Sequence, residues 1–162
     1  ELDGGIILSN DGTVYVEQPE QEPDVDQIRT AKLAEVSSRC ESAIFAGVDV
    51  ELTDGSVEHI SLKEKDQINL FGKQSQLAAG ATQLEYHEDG KLCKYYSAED
   101  MTKIIEAAMK FVSYHTTYCN SMNAWIKGAQ TAEEIEAIQY GAQIPDKYKS
   151  KVLKDYEAAM GA

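Results

Sequence analysis

Positive charge is the first scarcity in this sequence. Fifteen lysines and arginines stand against 28 aspartates and glutamates, a net charge of −13. A phosphate backbone or an anionic membrane surface is recognised through a basic patch, so neither is an expected direct partner. Long apolar runs are missing too: the longest is four residues, against the roughly 20 a helix needs to cross a bilayer. The first eight residues, ELDGGIIL, have neither a basic region nor a long apolar one, so no secretory leader is expected. An opening Glu in place of Met is expected of a trimmed or tagged start. Cysteine is sparse and odd in number. Cys40, Cys93 and Cys119 suggest no disulfide framework, and a reducing compartment is the expectation. Glycine patterns that cradle dinucleotides or nucleoside phosphates are lacking, as is any alternation of strands and helices of the βαβ kind.

What is present is an ordinary globular composition, 43% hydrophobic and 27% charged over 162 residues, enough for one self-sufficient core. Charge is uneven. Residues 1–30 hold eight acids and one base, a net −7. Within them Ile6–Leu8, the turn Asn10-Asp11-Gly12 and Thr13–Val16 read as a small hairpin, and EQPEQEPDVD (17–26) as an acidic linker. The chain divides into an N-terminal hairpin and acidic linker, 1–24, and a single domain, 25–162.

Apolar residues at Val25, Ile28, Leu33, Val36, Cys40 and Ile44 predict a helix from Val25 to Phe45. Val48, Val50 and Leu52 alternate before Asp54-Gly55. That turn predicts a tight type I′ hairpin, with Val57 and His59 on the matching face of the return strand and Ile60 and Leu62 out of register. Ser61 with Glu64 predicts a capping box and a helix to about Ala79, burying Ile68, Leu70, Phe71 and Leu77, with Gly72 marking a close contact. Leu84–His87 and Leu92–Tyr96 predict a second hairpin turning at Asp89-Gly90. Ser97 with Asp100 caps a long helix over about 98–128, with Met101, Ile104, Ile105, Ala108, Phe111, Val112, Tyr118, Met122 and Trp125 on its apolar face. Thr131 with Glu134 caps a short helix to Gln139, and a last helix covers about Pro145 to Met160. The fold class is α+β, a small antiparallel sheet of two hairpins packed against one long and several shorter helices.

Residues 81–140 hold two of the three histidines, two of the three cysteines, six of the nine tyrosines and the single tryptophan. His115 and Cys119 stand four apart on one helix, and His87 and Cys93 flank the second hairpin. Together they are a conceivable tetrahedral zinc set or, pairwise, a Cys–His nucleophile. Their spacings match no Cys-x2-Cys knuckle, and neither an oxyanion donor nor an orienting acid is evident. The preferred reading assigns no catalytic residue, metal or cofactor. It makes Tyr86, His87, Cys93, Tyr114, His115, Tyr118, Cys119 and Trp125 a polar core or an interface. Thr116 and Thr117 lie mid-helix, where β-branching is disfavoured, and call for a compensating network or partner surface. Tyr140, Tyr148 and Tyr156 recur at intervals of eight; packing is the simpler reading, an interface the other.

An ordered set of short motifs carries a family resemblance: Ser61-Leu62, Lys65–Leu70, Ala79-Gly80, Tyr86–Gly90 with Cys93, Tyr114–Tyr118, Tyr140-Gly141 and Ile144-Pro145. Over about residues 28–160 the chain resembles an uncharacterised family from bacteriophages and from prophage regions of gut Firmicutes and related bacteria. Its members resemble accessory proteins encoded near tail, baseplate and tail-fibre genes. The resemblance implies a structural or tail-assembly accessory protein that binds other phage tail or baseplate proteins, with homo-oligomerisation open. It also implies residence in the virion or the bacterial host cytoplasm, and no enzymatic activity. Two alternatives remain: a small phage regulator or anti-defence protein that binds a host protein, and a metal-binding or cysteine-dependent enzyme built on His87, Cys93, His115 and Cys119.

Overall fold

The computed structural model describes residues 6–8, 14–16 and 24–161. Strands β1 (Ile6–Leu8) and β2 (Val14–Val16) pair antiparallel as expected. Most of the acidic linker lies outside the described residues. Helix α1 spans Val25–Phe45, β3 Val48–Glu51, β4 Val57–Ile60 and α2 Glu64–Ala78. Then come β5 (Gln83–Tyr86), β6 (Lys94–Ser97), α3 (Ala98–Gly128), α4 (Ala132–Glu136), a 3₁₀ turn (Asp146–Tyr148) and α5 (Lys151–Met160). The fold is α+β. Each hairpin keeps its own two-stranded ladder rather than merging into one sheet. A hydrogen bond from the Asp89 amide to the His59 carbonyl (2.9 Å) links the second and third hairpins.

Helix α3 is the axis. Its first half, Met101 to Ala108, packs under both of those hairpins and Leu70 of α2. Its second half, Tyr118 to Ile126, packs against Val36 and Cys40 of α1, Ile135, Ile138, Ile144 and Leu153. Local chemistry sets the start of this helix. Ser97 accepts the Asp100 amide (3.0 Å), while the Asp100 carboxylate accepts the Thr53 amide (2.8 Å) and ties the cap to the first core hairpin. Hydrogen bonds donated to that carboxylate, by Thr53 first and also by the Ser97 hydroxyl (2.9 Å), hold it below its ordinary pKa. At the other end, Arg29 of α1 donates to the carbonyls of Ile126 (2.8 Å) and Ala129 (2.8 Å). A guanidinium at a helix C-terminus satisfies carbonyls that have no intrahelical partner and complements the dipole. Gly128 lies directly under the Tyr148 ring, where a Cβ would collide with it.

Several sequence expectations are corrected. The Asp54-Gly55 hairpin does not use a type I′ turn. Gly55 alone takes a left-handed conformation there (φ 82°), the Gly55 amide bonds the Leu52 carbonyl (3.1 Å) and Leu52 pairs with Ser56 (2.8 Å). The connection is therefore a three-residue loop. That extra residue slips the register by one and reverses the face of every residue on β4. Val48 lies opposite Ile60 and Val50 opposite Glu58. Ile60 and Leu62 are buried, Val57 is exposed, and Glu58 points inward.

Helix α2 starts at Glu64, so Ser61 is not its cap. Instead the Asp66 carboxylate accepts the Lys63 amide (3.2 Å) and the Ser61 hydroxyl (2.8 Å). Ile68 and Phe71 were expected inside but are 70% and 66% exposed, and a Cβ on Gly72 would touch nothing within 4 Å. Helical spacing puts Ile68 roughly opposite Leu70 and Phe71 about a quarter turn away, so the four apolar residues cannot share one face. Leu92 and Cys93 belong to the loop before β6 rather than to the strand, and both are exposed. Helix α4 stops at Glu136, and the last helix is interrupted at Lys149-Ser150 before Ser150 caps α5 through the Leu153 amide (3.1 Å). Cys40 and Cys119 form a disulfide, contrary to the expectation of free thiols, with Cα atoms 6.3 Å apart.

Candidate functional site

The polar run in the middle of α3 is compensated internally. Tyr118 donates its hydroxyl to the Ala142 carbonyl (2.8 Å) and accepts the Gly141 amide (3.0 Å), which pins the loop after α4 onto the helix. Tyr140 lies edge-on to Tyr118, with ring centroids 5.6 Å apart, and its hydroxyl meets His115 Nδ1 at 3.2 Å. His115 also packs on Phe111 (4.4 Å) and Tyr114 (5.2 Å), and Tyr114 reaches Tyr156 of α5 (6.0 Å). Burial lowers the His115 pKa and raises those of Tyr118 and Tyr140. All three groups therefore stay neutral near pH 7, as hydrogen-bonding core residues do. Thr117 returns its hydroxyl to the Ser113 carbonyl (2.7 Å), so the β-branched residue satisfies itself locally. Trp125 is half-buried against the same core.

The four residues considered for a metal or a nucleophile are not brought together. Cys119 is bonded to Cys40, and His115 belongs to the tyrosine network. His87 and Cys93 line a different, shallow cleft with Asn69, Lys73 and Glu85. His87 stacks on Tyr86 (5.3 Å) and meets the Glu88 carbonyl (3.0 Å). Tyr86 is buried, and burial pushes its hydroxyl up to about 12. Among the described residues no group of three or more His, Cys, Asp and Glu could hold a metal ion.

Two features escaped the sequence. The first is Glu58, only 6% exposed, whose carboxylate accepts hydrogen bonds from the Tyr96 hydroxyl and the Lys94 ammonium. Lys94 and Tyr96 alternate on one face of β6, and the lysine also sits over the Tyr96 ring (4.8 Å). The Lys94 pKa is raised, mainly by its hydrogen bond to Glu58. That of Tyr96 is raised, by burial first and by Glu58 second. The Lys94–Tyr96 alternation was legible; which acid faces it was not. The second is an apolar groove of about 200 Å3 between α2 and α3, floored by Leu62, Leu70, Ile105 and Ala108. Phe71 and Met109 form its exposed rim, while the exposed Ile68 lines the separate cleft of His87 and Cys93. Exposed hydrophobic side chains scattered singly are normal, but two that rim an apolar groove mark a contact surface.

The family model described as "Domain of unknown function (DUF4376)" matches residues 27–140. The chain belongs to the DUF4376 family. No curated protein and no solved structure matches it. The DUF4376 segment runs from the first turn of α1 to just past α4. It contains both paired cysteines, the Glu58 cluster and the groove. None of the helices among the described residues is long and apolar enough to cross a membrane.

Proposed function

We propose that this DUF4376 protein is a phage or prophage structural or tail-assembly accessory protein, and that it works by binding other tail or baseplate proteins through the α2–α3 groove. The observation that carries the reading is the apolar rim. Phe71 and Met109 remain exposed to solvent although a closed core lies one layer beneath them. Left uncovered, such surface costs free energy; buried against a partner, it drives association. The resemblance of the motif set to tail-associated phage proteins supports the choice of partner. The strongly acidic chain supports a protein partner over nucleic acid. The occupant is a tail or baseplate segment that presents an apolar ridge, the usual match for a groove between two helices.

The test is binding of the purified chain to the purified tail and baseplate proteins encoded beside it, with wild type, Phe71→Glu and Met109→Glu. Both side chains are exposed, so the variants should keep the wild-type circular dichroism and melting temperature. Binding to one of those components, weakened about tenfold or more by either charge, is the expected result. A strictly monomeric protein with no affinity for any of them sinks the reading.

A further inference from the structure

We infer that the Cys40–Cys119 disulfide is a redox latch that holds α1 on the body of the protein, and that a reducing thiol releases the helix while the hairpin end stays folded. This inference stands apart from the proposed function.

Three observations converge on it. First, the hold on α1 is thin. Of its 21 residues only Val36 and Cys40 are buried, with Val25, Ile28, Leu33 and Ile44 half-buried against the cores, and Cys40 carries the covalent link. Most helices in proteins owe their stability to a packed face, so a helix with two buried residues depends on whatever else ties it down. Beyond that partial packing, α1 is tied by Arg29 at one end and by the disulfide near the other. Second, the two cysteines border open space. Cys40 and Cys119 lie in a cleft of about 420 Å3 that also takes in Ser37, Glu41, Asn120 and Asn123. They keep 7% and 8% of their surface exposed, whereas Val36, Met122 and Ile126 in the same core keep none. Thiol–disulfide exchange needs in-line access to one sulfur, which a cleft supplies and a sealed core denies. Third, the bond closes a span of 79 residues that includes both core hairpins and most of α3. Those hairpins pack on the first half of α3 without touching the cysteines, so their core survives opening of the latch.

Opening the latch is a two-electron exchange. A low-molecular-weight dithiol attacks one sulfur and forms a mixed disulfide. Its second thiol then displaces the protein sulfur, leaving two cysteine thiols and the cyclic disulfide of the reductant.

The experiment compares the full chain, purified without reductant, before and after dithiothreitol and without denaturant. Alkylation read by intact mass counts thiols, and amide hydrogen exchange reads each segment. One alkylated cysteine, Cys93, is expected before reduction and three after. On reduction, protection across Val25–Phe45 should fall about tenfold or more beyond any change in β3–β6. The Cys40→Ala/Cys119→Ala double variant should reproduce that pattern without reductant; if it fails to fold, the wild-type comparison still decides. Three reactive thiols in the chain purified without reductant, a bond that dithiothreitol leaves intact, or equal loss of protection in α1 and the hairpins would each overturn the latch.

Discussion

The two ends of α3 are built on different physical plans. At the hairpin end, Val50, Leu52, Ile60, Leu62, Leu84 and Tyr96 close over Met101, Ile104 and Ile105. Placement there follows from turn chemistry and strand register, and the buried polar element is one carboxylate with its two partners. At the helical end, the chain is drawn onto Tyr118, Met122 and Ile126 by links between residues far apart in sequence. These are the Cys40–Cys119 bond, the Arg29 clamp and the Tyr118 hydroxyl. One end is specified locally and the other by cross-links. The surface proposed for binding, between Phe71 and Met109, belongs to the first and more self-sufficient end.

The largest expected effect is core truncation at either end. Met122→Ala and Leu62→Ala each empty a site with no exposed surface and should cost roughly 2–5 kcal/mol, read as a fall in the denaturant midpoint. Because α3 runs through both cores, oxidised wild type should unfold in one transition, with Trp125 fluorescence and far-UV circular dichroism coinciding. Separate midpoints would show that the two ends are independent units.

Next comes Glu58→Ala, which strips the buried Tyr96 hydroxyl of its acceptor and should cost about 1–3 kcal/mol. Adding Tyr96→Phe should recover part of that loss, because an unsatisfied hydroxyl costs more than an absent one. A double variant no more stable than the single one would mean the hydroxyl is not what the carboxylate serves.

At the helical end, Tyr118→Phe removes the two hydrogen bonds that hold residues 141 and 142, at about 1 kcal/mol. Faster exchange of the Gly141 amide, with the hairpin amides unchanged, would confirm a local tie.

The smallest effect is the pH response of two histidines, which differ in sign. His59 meets Asp49 through Nδ1 (2.6 Å) and the Ala46 carbonyl through Nε2 (2.7 Å), and the Asp49 hydrogen bond raises its pKa above the ordinary 6.5. Its contribution is complete below that ordinary value and is lost as pH rises through the raised one. The side chain is 43% exposed, so solvent keeps the contribution small. His115, lowered by burial, contributes above the ordinary value and loses that contribution as pH falls through its lowered pKa. Imidazole titration by NMR should place His59 above the ordinary value and His115 below it. Midpoints in the reverse order would show that His115 is solvated and the tyrosine network open.

The legible parts of the fold were those settled within a few residues. The extent of α1, the Ser97 cap of α3 and the Thr131 cap of α4 depend on side-chain bonds to amides two or three positions away. Thr131 accepts the Glu134 amide (3.2 Å), while the Glu134 carboxylate reaches past the cap to the Gln130 amide (2.7 Å). The apolar stripe of α3 was equally readable, because 31 residues of helical periodicity outweigh local noise. The candidate site was legible in part. The tyrosines and His115 of α3 share a half-buried hydrogen-bonded cluster, while His87 and Cys93 lie apart from it in another cleft.

By itself, then, the sequence determined the α+β class, nearly every element in order, and the concentration of polar aromatics on one long helix, because propensity, capping and periodicity act over short range. Tertiary structure decided three things. It chose the loop type that turns Glu58 inward, through a one-residue register shift that both turns permit. It left Ile68 and Phe71 facing solvent, because α2 can bury only one of its stripes. It also joined Cys40 to Cys119, because which two of three cysteines meet depends on how α1 crosses α3, a geometry that neither their count nor their spacing contains.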